Sequence, residues 1–516
     1  MPVDGYELFR KDARIPPRPK RTGYPALILM KKYIASIKDL DRILGETEFL
    51  KEYRMLCTEI RQDDAHALSS ETEDMIGRLS LSGAMNWSKL SSYLTSTLMV
   101  DYDGEKKPLS AIRGMAGDES KAVRKKAYEA ELASYDKVKD SMAFALNSIK
   151  NQYATIASAR GYESPLAMTL SFCRMKKETL DAMFAAMDES LPVFHRYLKA
   201  KARLLGYEGA LPFHDLFAPL PGAHKPFSIE EARDYLVHVF SGFSEDMAGL
   251  MAEAFDHEWI DFLAHGGKSG GACCINLAGY DQSRILTNFT FDMDGVTTLA
   301  HELGHAYHDR MIRDRRILNQ DYPMPIAETA SIFNEIHLSL YALAHADSDT
   351  ERLGILEPFL QGNTQTICDI YSRFLFEHEV MNRCQSEFLM PDKLCEIMLK
   401  AQKKAYGDGM DENYLHPYMW CCKPHYYISG FSYYNFPYAF GNMLALGLYS
   451  RYLENKEAFL PAYRKLLGAT PLMTLEDVAA LADIDLTDKN FWKSSLTMVA
   501  TFVEEFEALA SKQQIQ

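Results

Sequence analysis

The chain has 516 residues, enough for two or three lobes around a large core. Hydrophobic residues make up 47% and charged residues 25%, the proportions of an ordinary globular protein. Acidic residues outnumber basic ones by 71 to 56, and the net charge of −15 argues against nucleic acid or an anionic membrane as the main partner. No stretch approaches the run of about 18 apolar residues that a membrane span needs, and the first twenty residues lack the apolar core of a signal peptide.

The cysteines indicate a reducing environment. There are nine of them, an odd number, and two pairs, Cys273-Cys274 and Cys421-Cys422, are adjacent in the chain. Adjacent cysteines are poor candidates for structural disulfides or a tetrahedral zinc knuckle. We therefore predict a cytoplasmic protein in which most thiols pack as small hydrophobic residues.

The first hundred residues predict helices. Apolar residues recur at helical spacing from residue 22 to about 100. The polar, turn-rich stretch Asp101–Pro108 then interrupts the pattern. We predict a boundary there, between an N-terminal helical lobe, residues 1–108, and a second region, residues 109–516, to which the motifs described below assign the catalytic chemistry.

Long helices resume after this break. A predicted helix over Ala143–Arg160 ends at Gly161, a residue suited to the left-handed conformation of a helix C-cap. The longest predicted loop, Pro212–Pro226, contains four prolines and is followed by Ser228–Glu231, a capping-box pattern for the next helix. A further domain break is predicted near residues 212–228.

One part of the chain predicts β structure. The runs Ala272–Leu277 and Arg284–Phe291 are separated by a turn around Gly279 and Asp281, which indicates a hairpin. A strand at this place can pair with an extended peptide held at the helix that follows. A small structural sheet without contact to substrate is the alternative.

The helix that follows carries a metal-binding pattern. Within Thr297–Ala306, His301 and His305 lie four positions apart and so share one helix face, where both imidazoles can bind one metal ion. Glu302 lies about 100° further round the helix, outside the ligand set but close enough to reach a water beside the metal. Two neutral imidazoles can hold zinc, and the carboxylate can remove a proton from its water. The alternative is a buried core helix with two satisfied histidines.

A catalytic zinc site needs a third protein ligand and one open position. The next predicted helix, Ile326–Glu335, carries Glu328 and Glu335 seven residues apart, almost two turns, on one face. A solvent-exposed pair is the ordinary explanation for this spacing, but the flanking residues are apolar or small. We predict Glu328 as the ligand and Glu335 as the group that orients a ligating histidine.

An aromatic segment follows further along the chain. Pro424–Gly441 combines five tyrosines, a histidine and two glycines, which suits a loop that lines a pocket. Phenol and imidazole groups can stabilise the oxyanion of a tetrahedral intermediate. An aromatic core cluster is the alternative for most of these tyrosines, whereas for His425 and Tyr438 we predict a catalytic role.

Together these motifs resemble the oligoendopeptidase F branch of the thimet oligopeptidase family of zinc metallopeptidases. The matching stretches are Gly270–Cys273, Thr298–His308, Ala327–Glu335 and Tyr434–Gly441, with weaker matches at Leu109–Gly114, Arg160–Pro165 and His214–Pro219. They occur in the order of the family. The chain is shorter at the front than typical members, which predicts a trimmed N-terminal lobe and a wider channel.

The resemblance implies a mainly α, zincin-like fold. Two helical lobes would surround a deep substrate channel that admits short, unfolded peptides, with a small β-hairpin or sheet beside the zinc helix. It implies one zinc ion per chain, held by His301, His305 and Glu328. It also implies that Glu302 acts as general base and later as proton donor.

The resemblance further implies that His425 and Tyr438 help to bind substrate and stabilise the transition state. Phe431 stands near the place where distant relatives have a second catalytic tyrosine, and Tyr427, Tyr433 and Tyr434 are candidate substitutes. Ala272 stands where relatives often carry a larger residue. The predicted substrate-binding residues are Gly270, Gly271, Ala272, Tyr427 and Tyr434.

We therefore predict a zinc-dependent oligoendopeptidase that hydrolyses internal bonds of short unstructured peptides. One alternative is a zinc exopeptidase, such as a carboxypeptidase or dipeptidyl carboxypeptidase, which would need a cationic residue for the substrate's free carboxylate. A catalytically inactive peptide-binding protein with a structural metal site is another, and Glu302 argues against it because a structural site needs no general base. Short peptides are the predicted partners, without nucleic acid or membrane, and the oligomeric state is left open.

Overall fold

The computed structural model describes residues 24–220, 226–268 and 270–513. Most of these residues are helical, and their β structure is confined to a two-stranded and a three-stranded sheet, which confirms the predicted mainly α class. None of the helices in these ranges combines the length and apolar composition that a membrane span requires. The first twenty residues, on which the expectation about a signal peptide depends, and part of the predicted loop at 212–226 lie outside the described residues.

The helices follow one another through mostly short connections. In chain order they are α1 (Tyr24–Ser36), α2 (Leu40–Gly45), α3 (Glu48–Lys51), α4 (Arg54–Ala65), α5 (Ser70–Ser82), α6 (Ala84–Thr97), α7 (Leu109–Gly114), α8 (Lys121–Ser134), α9 (Lys139–Ala159), α10 (Pro165–Phe172), α11 (Lys177–Leu204), α12 (Ile229–Ser241), α13 (Glu245–Asp256), α14 (Met293–Ile312), α15 (Met324–Ala327), α16 (Thr329–Ala344), α17 (Asp349–Thr364), α18 (Ile370–Arg383), α19 (Pro391–Tyr406), α20 (Met419–Cys422), α21 (Phe436–Glu454), α22 (Lys456–Ala469), α23 (Leu475–Ala480) and α24 (Lys489–Gln513). The strands are β1 (Met99–Tyr102), β2 (Glu105–Pro108), β3 (Ile260–Asp261), β4 (Cys273–Leu277) and β5 (Gln282–Leu286).

Two compact units make up the fold, and each draws on three separate stretches of the chain. The first takes its described residues from Met1–Ala67, His224–His345 and Leu444–Asp485, and the second from Leu68–Ala223, Ala346–Met443 and Leu486–Gln516. Packing between distant helices produces this arrangement, because α14 packs on α16 in the first unit and α24 packs along α11 in the second. These units are defined by packing, whereas the boundary predicted at residue 108 separates the chain by function. That boundary stays a prediction.

The stretch that was predicted as a polar break, Asp101–Pro108, contains most of a β-hairpin. β1 pairs with β2 in antiparallel register. Asp103 and Gly104 form the turn, with left-handed φ values of 54° and 78°. An Asp-Gly pair is a strong hairpin signal, so the polar composition of this stretch belongs to a tight turn and not to a linker.

Two predicted helix ends are confirmed. α9 ends at Ala159, and Gly161 follows with φ of 75°, the left-handed conformation of a glycine C-cap. At the start of α12, Ser228 Oγ accepts a hydrogen bond from the N–H of Glu231 at 3.1 Å, and Glu231 Oε2 accepts one from the N–H of Ser228 at 2.8 Å. This reciprocal pair is the predicted capping box, and it fixes the start of α12.

The predicted hairpin before the histidine helix is present in the first unit and has a third strand. β4 pairs antiparallel with β5, and β3 pairs parallel with the other side of β5, so β4 is an edge strand of this sheet. The turn between β4 and β5 ends at Asp281, whose φ is 53°. β5 is shorter than the predicted strand Arg284–Phe291, because the chain leaves the sheet after Leu286 and Asp292 caps the next helix.

The histidine helix, α14, is buried as predicted. Its apolar and small residues are at most 2% exposed: Leu299, Ala300, Leu303 and Ala306. At its N-terminus Asp292 accepts a hydrogen bond from the backbone N–H of Gly295 at 3.0 Å. The packing of α14 on α16 brings the predicted glutamates next to the predicted histidines.

A buried acidic side chain in the second unit has three partners. Glu131 Oε1 accepts a hydrogen bond from the Tyr135 hydroxyl at 2.8 Å and lies 3.2 Å from Arg113 Nε and 3.3 Å from His416 Nε2. Burial by itself raises the pKa of this carboxyl. His416 opposes burial most strongly, through its charge and its hydrogen bond, and Arg113 and Tyr135 add to the effect. Together the three partners lower the pKa from 4.5 to about 2. The ionised carboxylate therefore stabilises the folded state.

We expect Glu131→Gln to change the acid sensitivity of the fold. Because the folded-state pKa is depressed, the carboxylate stabilises the fold fully above about pH 4.5, and this contribution is lost as the pH falls towards about 2. The variant should be less stable at pH 7 by about 3 kcal/mol, and the difference should shrink to about 1 kcal/mol at pH 3. Denaturant unfolding of both proteins at the two pH values measures this, and equal differences would contradict the prediction.

Candidate active site

Three of the predicted site residues meet in the first unit. Among the residues that the structure describes, His301, His305 and Glu328 form the one group of histidine, cysteine and acidic side chains whose donor atoms all lie within 4.8 Å of one another. His301 Nε2 lies 3.2 Å from His305 Nε2. Glu328 Oε2 lies 3.3 Å from His301 Nε2 and 3.4 Å from His305 Nε2, so the three atoms form a nearly equilateral triangle. A single ion can contact all three.

Glu328 stands at a break between two helices, whereas the sequence predicted one helix over Ile326–Glu335. α15 ends at Ala327, and Glu328 has φ −84° and ψ 1° before α16 begins at Thr329. Ser331 Oγ donates to Glu328 Oε2 at 2.9 Å and lies 3.0 Å from the Glu328 carbonyl oxygen. The buried serine therefore holds the carboxylate in place from within the first turn of α16.

Glu335 contacts the first histidine from the side opposite to the triangle. Its Oε1 forms a short hydrogen bond with His301 Nδ1. Because Nδ1 is engaged in this way, Nε2 of the same ring remains directed at the triangle. The contact places a carboxylate oxygen at Nδ1, while Nε2 of the same ring faces the triangle.

Glu302 is buried next to this group. Its side chain is 4% exposed. The described residues offer no hydrogen-bond partner to its Oε2, an atom shielded from solvent. Burial raises the pKa of Glu302, and the neighbouring His301 and His305 oppose that effect only in part. A buried carboxylate oxygen without a protein partner is rare in native structures and calls for an explanation.

Opposing charges are concentrated within the triangle. Burial lowers the pKa of His301, but Glu335 and Glu328 outweigh it and raise that pKa well above its usual value. Burial raises the pKa of Glu328, but His305 and His301 outweigh it and lower that pKa well below its usual range. The carboxylates therefore favour positive charge at this place, and a divalent cation supplies such charge while leaving the imidazoles neutral.

The backbones of α14 and α16 come into close contact at Gly304. A Cβ atom at this position would lie 2.6 Å from Ser331 Cα and 2.7 Å from the Ala330 carbonyl oxygen, too close for any side chain. Asn334 adds a hydrogen bond across the same contact, from its amide to the Ala300 carbonyl at 3.1 Å. No role for these residues was predicted from the sequence, although a glycine inside an apolar helix is a signal of close packing.

The predicted substrate-binding residues Gly270, Gly271 and Ala272 lead directly into β4, which begins at Cys273, one residue after the predicted start of the strand. Gly271 has φ of 82°, and its carbonyl accepts a hydrogen bond from the Asn288 amide at 2.8 Å, which fixes the approach to the strand. Burial, followed by the charge of Glu302, raises the pKa of the Cys273 thiol at the start of β4. β4 also packs against α14, the helix that carries Glu302.

The remaining predicted site residues belong to the second unit. Tyr438 Oη lies 3.3 Å from His425 Nε2. The Tyr434 ring stacks on His425 at 5.6 Å between centroids and packs edge-on against Tyr438 at 5.8 Å. The structure thus brings these three side chains together, with His425 buried and both tyrosines partly exposed.

Tyr427 lies in the core of the same unit. It is 3% exposed, and its hydroxyl donates to the Trp420 carbonyl at 3.0 Å. A buried phenol that is bonded to the backbone has little surface for a substrate. This position supports the core role that the sequence left open for Tyr427, not the predicted substrate contact.

Comparison with known proteins assigns the chain to a family. The sequence profile of Peptidase family M3 matches residues 115–496, and that of Oligopeptidase F matches residues 35–99. The first match alone covers well over half of the chain. The chain belongs to peptidase family M3. The resemblance to oligoendopeptidase F is confirmed at this level, and the family makes the chain a peptidase.

Individual relatives of this family M3 peptidase match along most of its length. Oligopeptidase PepF of Bacillus subtilis is 28% identical over 490 residues, which cover 93% of this chain and 72% of that protein. Group B oligopeptidase PepB of Streptococcus agalactiae is 27% identical over 492 residues, which cover 92% and 80%. The crystal structure of oligoendopeptidase-F from Enterococcus faecium matches with a TM-score of 0.71 at 22% identity, over 93% of this chain and 83% of that one, and so shares its fold.

We expect Gly304→Ala to destabilise the first unit and weaken divalent-metal binding. The added methyl group would force α14 away from Ser331 and Ala330, and overpacking of this kind costs about 1–3 kcal/mol. Gly249, which is exposed in α13 and where an added Cβ would meet no atom within 4 Å, is the matched control. Gly249→Ala should be neutral or stabilise the helix by up to about 1 kcal/mol. Thermal unfolding and metal titration of both variants test this, and equal Tm values would rule out the close contact.

Proposed function

We propose that this family M3 peptidase is a zinc-dependent oligoendopeptidase that hydrolyses internal bonds of short, unstructured peptides. The observation that carries the proposal is the triangle of His301, His305 and Glu328 with the buried carboxylate of Glu302 beside it. The names of its relatives, oligopeptidase and oligoendopeptidase F, agree with this activity. The proposal therefore covers both the metal, zinc, and the substrate class, short peptides.

Zinc fits the donor set. Around a tetrahedral zinc ion with ligand bonds of about 2.0–2.1 Å, neighbouring ligand atoms lie about 3.3 Å apart. The sides of the triangle, at 3.2, 3.3 and 3.4 Å, agree with this spacing. Two imidazoles and one carboxylate are a donor set of catalytic zinc sites, which keep a fourth position open. One zinc ion per chain, when bound, supplies a Lewis acid that polarises the peptide carbonyl and acidifies water.

Glu302 is the proposed general base. Its Oε2 is buried and has no partner among the described residues, so it is available to a water molecule that attacks the peptide bond. The carboxylate takes the proton of that water and then returns it to the leaving amine. Glu335 and Ser331 keep His301 and Glu328 in place during this cycle, each through one hydrogen bond.

His425 and Tyr438 are the proposed assisting donors. An imidazole N–H and a phenol O–H can stabilise the negative charge that develops on the carbonyl oxygen. The Tyr438 hydroxyl lies 3.3 Å from His425 Nε2, so both groups can reach the same substrate atom. Tyr434 and the start of β4 at Gly270–Ala272 are the proposed substrate contacts, the strand by main-chain pairing with an extended peptide.

We expect Glu302→Gln to abolish most of the turnover while leaving the metal bound. The amide keeps the shape of the side chain but cannot take a proton, and loss of a general base costs about 10²- to 10⁴-fold in kcat. Asp294→Asn, the corresponding change of a carboxylate to an amide at an exposed position of α14, is the control and should behave like the wild type. Metal content by mass spectrometry and kcat on a quenched fluorescent peptide give the two readouts. Near-normal hydrolysis by Glu302→Gln would refute the assignment.

We expect a short peptide blocked at both ends to be cleaved at an internal bond, and cleavage to stop after treatment with a chelator. An endopeptidase needs neither terminus, whereas an exopeptidase requires a free terminus and would leave the blocked peptide intact. Mass spectrometry of the products identifies the bond that is cut. Cleavage of only the unblocked version would favour the exopeptidase, and no cleavage of either would favour a binding protein without activity.

A further inference from the structure

A buried turn precedes the helix that carries Tyr438. Ser432 and Asn435 are 0% exposed, and Tyr433 between them is 1% exposed. Tyr433 adopts a φ of 61°, the left-handed region that side-chain-bearing residues rarely occupy. Such a conformation persists only where the surroundings hold it. The structure of this turn therefore depends on what contacts it.

One carboxylate holds both the strained residue and the residue two positions later. Glu377 on α18 is fully buried, and its Oε1 accepts a hydrogen bond from the Tyr433 N–H at 2.8 Å. Its Oε2 accepts one from the Asn435 side-chain amide at 2.7 Å. The same side chain thus fixes the backbone at position 433 and the side chain two residues later.

A buried cation completes the arrangement. Lys150 on α9 is 0% exposed, and its Nζ donates to Glu377 Oε1 at 2.5 Å and to Ser432 Oγ at 3.2 Å. On the other side of the turn, Thr169 Oγ1 donates to the Ser432 carbonyl at 3.1 Å. A buried ion pair is a poor source of stability, because desolvation costs about as much as the attraction returns. Its presence is better explained by the geometry that it imposes.

The turn determines which tyrosines face inward. Tyr433 lies in the core, with its hydroxyl 3.2 Å from His378 Nδ1. Tyr434, the next residue, is partly exposed and stacks on His425. The turn also leads directly into α21, whose first turn contains Tyr438. A change at Tyr433 would therefore alter the placement of both partly exposed tyrosines.

We propose that Lys150 and Glu377 are positioning residues that hold the Ser432–Asn435 turn and thereby orient Tyr434 and Tyr438 beside His425. The part of this inference that concerns catalysis rests on the proposed peptidase function. The part that concerns the turn rests only on the contacts of the buried pair. The two parts can be measured separately.

The variant Lys150→Met/Glu377→Met tests the inference. It removes both charges together, so no unpaired charge is left in the core, and two apolar side chains of similar volume keep the packing. The Tyr433 N–H and the Asn435 amide lose their acceptor. The matched control is Lys201→Met/Glu357→Met, which removes another buried lysine–glutamate pair of the same unit, also with a 2.5 Å separation.

A rescue variant, Lys150→Met/Glu377→Gln, restores hydrogen bonding without charge. The glutamine oxygen can accept from the Tyr433 N–H. Its amide can donate to Asn435 Oδ1, which has no partner among the described residues, once the asparagine amide has turned over. A purely electrostatic or packing effect would not be reversed by this change.

We expect Lys150→Met/Glu377→Met to lower kcat by about 10- to 100-fold with little change in KM, because small misplacements of catalytic groups have effects of this size. Hydrogen exchange of the peptide that spans residues 432–435, followed by mass spectrometry, should become faster. The glutamine variant should recover most of both properties, and the Lys201 control should keep them. If the double methionine variant fails to fold, Asn435→Ala, which removes one tether, should show the same changes to a smaller extent.

Unchanged exchange at the turn in the double methionine variant or in Asn435→Ala would overturn the proposal. So would an equal loss of kcat in the Lys201 control, since the effect would then reflect general loosening of the unit. If the wild type cleaves no peptide, the proposed function fails, and the exchange data alone decide whether the pair holds the turn. Faster exchange with unaltered kcat would overturn the link between the turn and catalysis.

Discussion

The spacing between α14 and α16 at Gly304 is the constraint on which the triangle of His301, His305 and Glu328 depends. The two histidines come from one helix and the glutamate from the junction before the other, so the distance between the helices sets the distances between the three side chains. The triangle has sides of 3.2–3.4 Å. A methyl group at Gly304 would lie only 2.6 Å from Ser331 Cα, so the two helices would have to move apart and the triangle would widen. Asn334 then fixes the register of the two helices through the Ala300 carbonyl.

Features that depend on a few neighbouring residues could be predicted from the sequence. The common face of His301 and His305 follows from the helical repeat, and the hairpin β4–β5 follows from two apolar runs around a turn. The break at Glu328 could not be predicted in this way, because the small and apolar residues around it continue the helical pattern. The hairpin at Asp103-Gly104 follows from its turn residues, although the polar composition around it is equally typical of a linker.

Other features depend on residues far apart in the chain and leave no local pattern. Lys150 and Glu377 are separated by 227 positions, and neither stands in a motif. The two compact units are each assembled from three stretches, so no single change of composition marks their limits. The sequence could indicate that His301, His305 and Glu328 meet, because the chemistry of a metal site restricts the type and spacing of its residues. The residues that orient them, such as Ser331, could not be predicted, because many side chains can donate one hydrogen bond.

Burial alone does not distinguish a carboxylate with a structural role from one that is available for chemistry. The hydrogen-bond partners of the carboxylate do distinguish them. Glu377 is fully buried and both of its oxygens accept hydrogen bonds, and Glu131 is held by a phenol, a guanidinium and an imidazole. Such groups are satisfied within the protein and can serve its architecture. Glu302 is buried to a similar degree, yet its Oε2 has no partner among the described residues. A carboxylate oxygen that is kept in the interior without a protein partner is free to meet a molecule from outside the chain, and this agrees with the general-base role that we propose for Glu302.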